Sequence, residues 1–306
     1  MKNPILAVLA AGIGSRYGGL KQMEAIGENG ETLLDYSVYD AVKSGFEKIV
    51  FIIRRDMEKD FNELVLARMK SKVKCELAFQ QPDSLIPADV YKAAMEAGRS
   101  KPWGTGHALL CAADKLDAPF TVINADDFYG REAFAVMGAH LTGHDPVISS
   151  IVPYKLERTL SPQGTVARGV CEIKDGYLVS VEELTAIKKK DGRIINSNPD
   201  GSVRELSADT PVSMNFWGFS PDIIPEFEKY FVNFIQTFAN DAKANIKSEC
   251  FIPKAVDYFI KHGITKIKAL EADSGWFGVT YREDREEVIK KISNLAEAGV
   301  YPASLW

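Results

Sequence analysis

Two cations and a pair of carboxylates are the residues of this chain whose types and spacing suggest chemistry. Arg16 and Lys21 lie in the stretch Gly12-Ile13-Gly14-Ser15-Arg16-Tyr17-Gly18-Gly19-Leu20-Lys21-Gln22, directly after the apolar run Ile5-Leu6-Ala7-Val8-Leu9-Ala10-Ala11. Glycines let a backbone turn sharply and let a ligand approach the main chain closely. Successive loop N–H groups can form a concave anion site, and Arg16 and Lys21 add fixed positive charge beside it. Strand, tight glycine loop, Arg and Lys together make a recipe for holding a polyphosphate. Asp126 and Asp127 end a second apolar run, Phe120-Thr121-Val122-Ile123-Asn124-Ala125. A carboxylate there can hold the hard divalent cation, such as Mg²⁺, that polyphosphate chemistry calls for.

Two commoner glycine motifs do not fit. A dinucleotide fingerprint needs G-x-G-x-x-G, and Tyr17 stands at the third position. A Walker A loop needs G-x-x-x-x-G-K-[ST], but Leu20 separates Gly19 from Lys21 and Gln22 follows. The pattern that does fit is L-A-A-G-x-G-[ST]-R followed by Lys. It resembles the signature loop of the sugar-1-phosphate nucleotidyltransferases, which make nucleotide sugars. The resemblance implies that Ala10, Ala11, Gly12, Gly14 and Ser15 hold the nucleotide, with Arg16 and Lys21 as catalytic cations. Asp126 falls on the magnesium-binding Asp of that family, with Ala125 in place of a Gly. Strand alternation lets only one of the two aspartates face the site; Asp127 is expected to cap a helix beginning near Gly130.

These residues need elements to position them. The run at Ile5 reads as a buried parallel strand. Thr32, with Asp35 three residues on, predicts the start of a helix through Val42 that ends at Gly45. Ile49 to Ile53 is a second strand. A charged amphipathic helix follows with Phe61, Leu64, Val65 and Ala67 facing inward. Val73 to Phe79 is a third strand, so the order predicts a right-handed parallel sheet. Gln80-Gln81-Pro82 ends it. After a short helix around 88–97, Trp103-Gly104-Thr105-Gly106-His107 opens another.

A helix N-terminus supplies unpaired N–H donors, and a Gln amide can both donate to and accept from a pyrimidine edge. In the family, a Gln-Pro strand end and a G-T-x-H-A helix start flank the base. Gln80, Gln81, Gly104, Thr105 and Gly106 are therefore assigned to the nucleotide, with a wording closest to uridylyltransferases and thymidylyltransferases. His107 reads as a polar residue of the first helical turn rather than a base, because the chemistry needs none.

The second half reads as strands at 146–153, 164–174, 177–184 and 210–219, with an exposed hairpin at 187–195. Helices run over 221–238, 252–261 and 283–298, with a strand at 265–270. The resemblance assigns Gly169, Glu183 and Asn215 to the sugar. Two positions depart from the family. Leu184-Thr185 replaces a Lys-Pro that contacts the sugar phosphate, and Gly278 stands where the second metal-binding Asp is expected. No hexapeptide repeats follow, so an acyltransferase domain is not expected.

The chain has 306 residues, of which 46% are hydrophobic and 26% charged, which is ample for a large core. A net charge of −5 argues against non-specific nucleic-acid binding. Cys75, Cys111, Cys171 and Cys250 are scattered without a C-x-x-C pair, as expected of reduced thiols in a cytoplasmic protein. No signal-peptide pattern and no apolar run of membrane-spanning length are read, so no membrane partner is expected; a homo-oligomer stays open.

The expectation is an α/β fold with a mostly parallel mixed central sheet, Rossmann-like and of nucleotidyltransferase type, as a single domain over 1–306. Residues 1–130 form the nucleotide half and 131–306 the sugar-phosphate half. The resemblance implies Mg²⁺-dependent transfer from an NTP, UTP or dTTP favoured, to a sugar-1-phosphate with release of pyrophosphate. Three alternatives stay open. One is a cytidylyltransferase acting on a phosphomonoester such as phosphocholine. A non-catalytic regulatory relative that binds a nucleotide sugar is another. The third is a metal-dependent glycosyltransferase, which would want D-x-D where this chain has Asp126-Asp127-Phe128.

Overall fold

The computed structural model describes residues 2–12, 24–143, 145, 148–198, 200–279 and 281–306. Alternation along the first strand decides the layering. In β1 (Ile5–Leu9), Ile5 and Ala7 enter one apolar cluster, and Leu6 and Val8 enter another on the opposite face. A strand buried on both faces needs parallel neighbours with covering helices. β2 (Lys48–Ile53), β3 (Lys74–Phe79) and β4 (Phe120–Asn124) supply them, all parallel, in the order β3-β2-β1-β4.

The helix Leu33–Lys43 joins β1 to β2. Thr32 N–H donates to the Asp35 carboxylate at 2.8 Å, closing the expected capping box. Leu34, Val38 and Ala41 are fully buried beneath it; a buried Leu or Val contributes roughly 1.5–3 kcal/mol. Between β2 and β3 the chain is helical from Arg55 to Met69, with a π-helical segment at Asn62–Leu66. That extra residue per turn rotates the apolar face. Phe61 and Val65 are buried as expected, but Leu64 and Ala67 face solvent, and Leu66 and Met69 take their places.

β5 (Asp127–Phe128) follows β4 after a two-residue turn, and helix Arg131–Thr142 packs on the same face as Leu33–Lys43. The second half adds strands, mostly antiparallel. β6 (Ser150–Ile151) is the part of the expected strand at 146–153 that forms, and β7 (Tyr154–Lys155) follows just past it. β8 (Val166–Lys174) and β9 (Tyr177–Lys190) form a long hairpin through Asp175-Gly176, both at positive φ. β9 runs on past Leu184, so the expected second hairpin is its outer end, pairing with β10 (Arg193–Ser197), which pairs with β11 (Val203–Leu206).

The expected strand at 210–219 breaks into β12 (Pro211–Ser213) and β13 (Trp217–Phe219), because Asn215 sits at φ 61° between them. β14 (Ile267–Ala269) completes a sheet ordered β3-β2-β1-β4-β13-β6-β14-β9-β8-β12-β7. Helices Ile224–Asn240 and Ile252–Lys261 cover one face of it.

A third apolar cluster lies outside the sheet. β15 (Phe277–Gly278) pairs antiparallel with β5, and Phe128 stacks on Phe277 with centroids 4.3 Å apart. Helix Arg285–Glu297 and residues 298–306 close over it. Tyr301 Oη donates to Asp40 Oδ2 at 2.5 Å, Trp306 Nε1 to Asp35 Oδ1 at 3.1 Å, and Asn29 Nδ2 to the Ala303 carbonyl at 2.6 Å. Asp35 also takes Arg68 Nη2 at 2.6 Å, so this buried carboxylate joins three distant parts of the chain.

Candidate active site

The carboxyl ends of β3, β2, β1 and β4 line one edge of the sheet, and Ala10, Ala11, Gln80 and Asp126 lie just past them. The parallel ladder carries on just past them: Ala10 N–H donates to Ile52 O, Gln80 N–H to Ile53 O and Ala125 N–H to Leu9 O. Ala10 and Ala11 are buried, and Gly12 opens to solvent. Gly14, Ser15, Arg16 and Lys21 lie outside the described residues.

Beside this edge is a cavity of about 190 Å³. Ala11, Gln80, Gln81, Pro82, Arg99 and Trp103 are among the residues that line it. Gln80 is nearly enclosed, and its Nε2 donates to the Gly104 carbonyl at 3.1 Å and approaches His107 Nδ1 at 3.1 Å. Gln81 Oε1 accepts from the Arg55 N–H at 3.0 Å. Trp103 Nε1 donates to Pro82 O at 2.7 Å, which fixes the indole as one wall.

At the helix start 104–106 the Gly106 N–H is already taken. Gly106 N–H donates to Cys250 O at 2.8 Å, Cys250 N–H to Trp103 O at 2.9 Å, and Ile252 N–H to Thr105 Oγ1 at 3.0 Å. The glycines serve that contact: Gly104 has φ +99°, and a β-carbon on it would sit 2.5 Å from Cys250 O. Arg99 holds the opposing segment, donating to the carbonyls of Ile246, Pro102 and Ser248, each at 2.8 Å, while its guanidinium lies 4.0 Å above the Trp103 ring. The sequence carries one signal of this contact, a pair of glycines for which no local turn gives a reason.

Asp126 is half-buried in the turn after β4. Asp127 is buried, and its Oδ2 accepts from Asn124 Nδ2 at 2.8 Å and Tyr129 Oη at 3.3 Å. Asp127 is therefore not the cap of helix Arg131–Thr142. Ser274 is: its Oγ accepts from Ala133 N–H at 2.9 Å. A cap brought from a distant loop leaves no local trace in the sequence. Gly278, in register with Asp127 across β15 and β5, brings the tail-side strand against the same carboxylate.

A row of contacts runs from here to the second half. Asn215 Nδ2 donates to Asn124 Oδ1 at 3.2 Å, Trp217 Nε1 to Asn215 Oδ1 at 3.3 Å, and Asn215 N–H to Ser213 Oγ at 3.2 Å. Ser213 pairs with Gly169, and Gly169 pairs with Glu183. Asn215 is thus committed in part to holding the two halves of the site together. A β-carbon on Gly169 would come within 2.9 Å of Val181 Cγ1, so the glycine lets β8 and β9 pack closely there. Glu183 is exposed along one side, yet desolvation of its carboxylate raises its pKa, and Lys254 and Arg168 partly counter that.

Burial pushes His107 down to about 4, outweighing the opposing hydrogen bond to Ser84 O. Burial also pushes Cys111, Cys171 and Cys250 up to about 12 and Cys75 to about 11, so these thiols stay protonated. Among the described residues no helix is long and apolar enough to cross a membrane, and no group of three or more His, Cys, Asp or Glu could hold a metal ion. The carboxylates at 126–127 are hard oxygen donors on a site edge. That suits Mg²⁺, which takes one or two carboxylates and fills its shell with phosphate oxygens and water.

No protein-family model and no curated protein matches the chain. Solved structures do. The inositol-1-phosphate CTP transferase from T. maritima superposes with a TM-score of 0.65 at 12% identity, over 96% of this chain and 97% of that one. A UDP-glucose pyrophosphorylase complexed with UDP-glucose gives 0.58 at 15% identity, over 96% and 99%. A chain from Bacillus anthracis assigned as a glucose-1-phosphate thymidylyltransferase, in complex with a sucrose, gives 0.59 at 12% identity, over 94% of each. At these identities the likeness establishes a shared α/β fold, end to end.

Proposed function

We propose that this chain is a sugar-phosphate nucleotidyltransferase, converting an NTP and a sugar-1-phosphate into a nucleotide sugar and pyrophosphate, with UTP or dTTP favoured. One observation carries the reading: the end of β1, the Gln80-Gln81 corner and the Asp126 turn meet at one sheet edge, where open α/β sheets take their ligands. The three solved structures of like fold are all named for nucleotidyl transfer to a phosphorylated sugar or polyol, or for its reversal as a pyrophosphorylase.

The acceptor phosphate already carries most of its second charge near neutral pH, its second pKa being about 6, so no general base is required. The difficulty is to bring two anions together and to stabilise charge on the departing pyrophosphate. In this reading Gly12, Gly14 and Ser15 with Arg16 hold the outer phosphates, and Lys21 bridges the α-phosphate and the acceptor. Asp126 would hold Mg²⁺, with Asp127 beside it; when bound, that ion neutralises the α-phosphate. Gln80, Gln81 and Trp103 enclose the base, and Gly169 and Glu183 face the acceptor. The whole chain acts as one domain in this scheme, in the cytoplasm.

The CTP transferase of like fold favours a second reading, cytidylyl transfer to another phosphomonoester such as phosphocholine. A panel of UTP, dTTP, CTP, ATP and GTP against sugar-1-phosphates, inositol-1-phosphate and phosphocholine, reading pyrophosphate release, separates the two. Release with UTP or dTTP and a sugar-1-phosphate is the expected result. No release with any pair would overturn nucleotidyl transfer itself.

A further inference from the structure

We propose that His107 is a positioning residue that fixes the polarity of Gln80, so that the cavity presents a carboxamide oxygen and selects a base with a ring N–H at position 3, uracil or thymine over cytosine. The inference rests on the nucleotidyltransferase reading above and adds to it the device that sets base preference.

The argument starts at the buried imidazole. His107 is fully enclosed, and its ring stacks on Phe231 with centroids 5.2 Å apart and planes 19° from parallel. Its Nε2 lies 2.7 Å from the Ser84 carbonyl oxygen, with Cys111 Sγ 3.5 Å away. A carbonyl only accepts, so Nε2 carries the hydrogen. Desolvation keeps the ring neutral, with its pKa pushed down to about 4. A neutral ring protonated on Nε2 has a bare lone pair on Nδ1.

That lone pair decides how Gln80 sits. Two acceptors, His107 Nδ1 and Gly104 O, lie 3.1 Å from the same Gln80 atom. The nitrogen of the amide can satisfy both with its two hydrogens. Rotated by half a turn, the amide would set its oxygen against two acceptors at once. Chemistry therefore settles an assignment that amide geometry alone leaves ambiguous. Gln80 lines the cavity, and with its nitrogen taken by two acceptors the oxygen is the polar atom it has left to offer a ligand there.

An oxygen fixed there accepts the N3–H of uracil or thymine. Cytosine offers an unprotonated N3, and two lone pairs would then face each other. The cost of such an unpaired buried group corresponds to roughly ten- to a hundredfold in preference. His107 also borders the cavity, and in this scheme it acts on base choice through Gln80.

The test compares wild type, His107→Phe and His107→Asn with UTP and CTP, using the acceptor found by the panel above. Phe keeps the stack on Phe231 but removes the Nδ1 acceptor, so Gln80 can turn over. The UTP-to-CTP ratio of kcat/KM should fall at least tenfold. Asn restores an acceptor near the Nδ1 position, and the ratio should stay within about threefold of wild type. An unchanged ratio in His107→Phe, or a wild type that prefers CTP, overturns the proposal while leaving nucleotidyl transfer standing; absence of transfer with every base overturns the transfer itself. Nitrogen NMR of His107 in the unmodified protein at pH 7 is a second measurement that needs no variant. A protonated Nε2 with a bare Nδ1 is expected, and the opposite tautomer overturns the proposal.

Discussion

The Oδ1 atom of Asp127 stands where residue 278 would otherwise have a side chain: a β-carbon on Gly278 would lie 2.5 Å from it. The two residues face each other across the β5–β15 pair. Asn124 and Tyr129 hold the other carboxylate oxygen, so Asp127 has little room to retreat. The carboxylate at this corner thus comes from residue 127, and the absence of one at 278 is its steric counterpart.

Gly278→Ala should therefore disturb the site, not merely the strand. Trp276 at 3.0 Å and the Asp126 carbonyl at 3.3 Å close the other directions. Overpacking of this kind costs about 1–3 kcal/mol. Urea unfolding should show that loss, together with reduced transfer at saturating nucleotide; an alanine variant equal to wild type in both would refute the crowding.

Asp126→Asn and Asp127→Asn should separate. The first should abolish Mg²⁺-dependent transfer with little change in melting, since Asp126 lies half-exposed in a turn. The second should lower stability by about 1–3 kcal/mol, because a buried acceptor of two hydrogen bonds becomes in part a donor. Thermal melting and pyrophosphate release on both variants check the ranking; the reverse order would place the metal on the wrong carboxylate.

Arg16→Ala and Lys21→Ala should each reduce turnover on the order of a hundredfold, as loss of a charged transition-state contact does. The measurement is kcat at saturating substrates. Near-normal turnover in either variant would remove that residue from the mechanism.

Gly104→Ala should destabilise the protein by roughly 2 kcal/mol or more through strain and collision with the Cys250 carbonyl. Because the clash is with main chain, Cys250→Ala should not relieve it. Rescue in the double variant, read by equilibrium unfolding, would contradict the contact described.

Stability between pH 4 and 6.5 should reflect two opposed groups. Burial, partly countered by Tyr301 and Arg131, raises Asp40 from 3.8 to about 6. The folded state then holds that proton more tightly than the unfolded one, so this contribution falls as pH rises through the window. His107, lowered from 6.5 to about 4, works the other way, because the unfolded state takes up its proton first on acidification. Each is worth about 3 kcal/mol across its range. Asp40→Asn should therefore lose stability on acidification more steeply than wild type, and His107→Asn should gain it. Urea midpoints from pH 4 to 7 decide the signs.

The nucleotide half was legible where its causes are local. Thr32 and Asp35 announce their capping box, and the runs at Ile5 and Phe120 announce buried strands. A regular helical period turns Leu64 and Ala67 inward, and the π-helical segment at Asn62–Leu66 shifts it. Asp127 looked like a cap because the true cap, Ser274, lies far along the chain. Likewise the sequence assigns Gly104 and Gly106 to the nucleotide, and only the fold shows Cys250 seated on them. In the second half, Asn215 at positive φ divides one apparent strand into two, which no alternation pattern reveals.

The clasp of residues 301–306 on the helix Leu33–Lys43 also sets a clock. Asp40 and its partner Tyr301 are separated by 261 positions. At ribosomal rates of about 5–20 residues per second, the first helix waits roughly 10–50 s for the phenol that lies against its buried carboxylate. During that interval Asp40 and the apolar side chains of Leu33 and Tyr36 lack their final cover. Newly made chains would thus pass through a stage open to chaperones and proteases, ending only when Tyr301 to Trp306 have emerged.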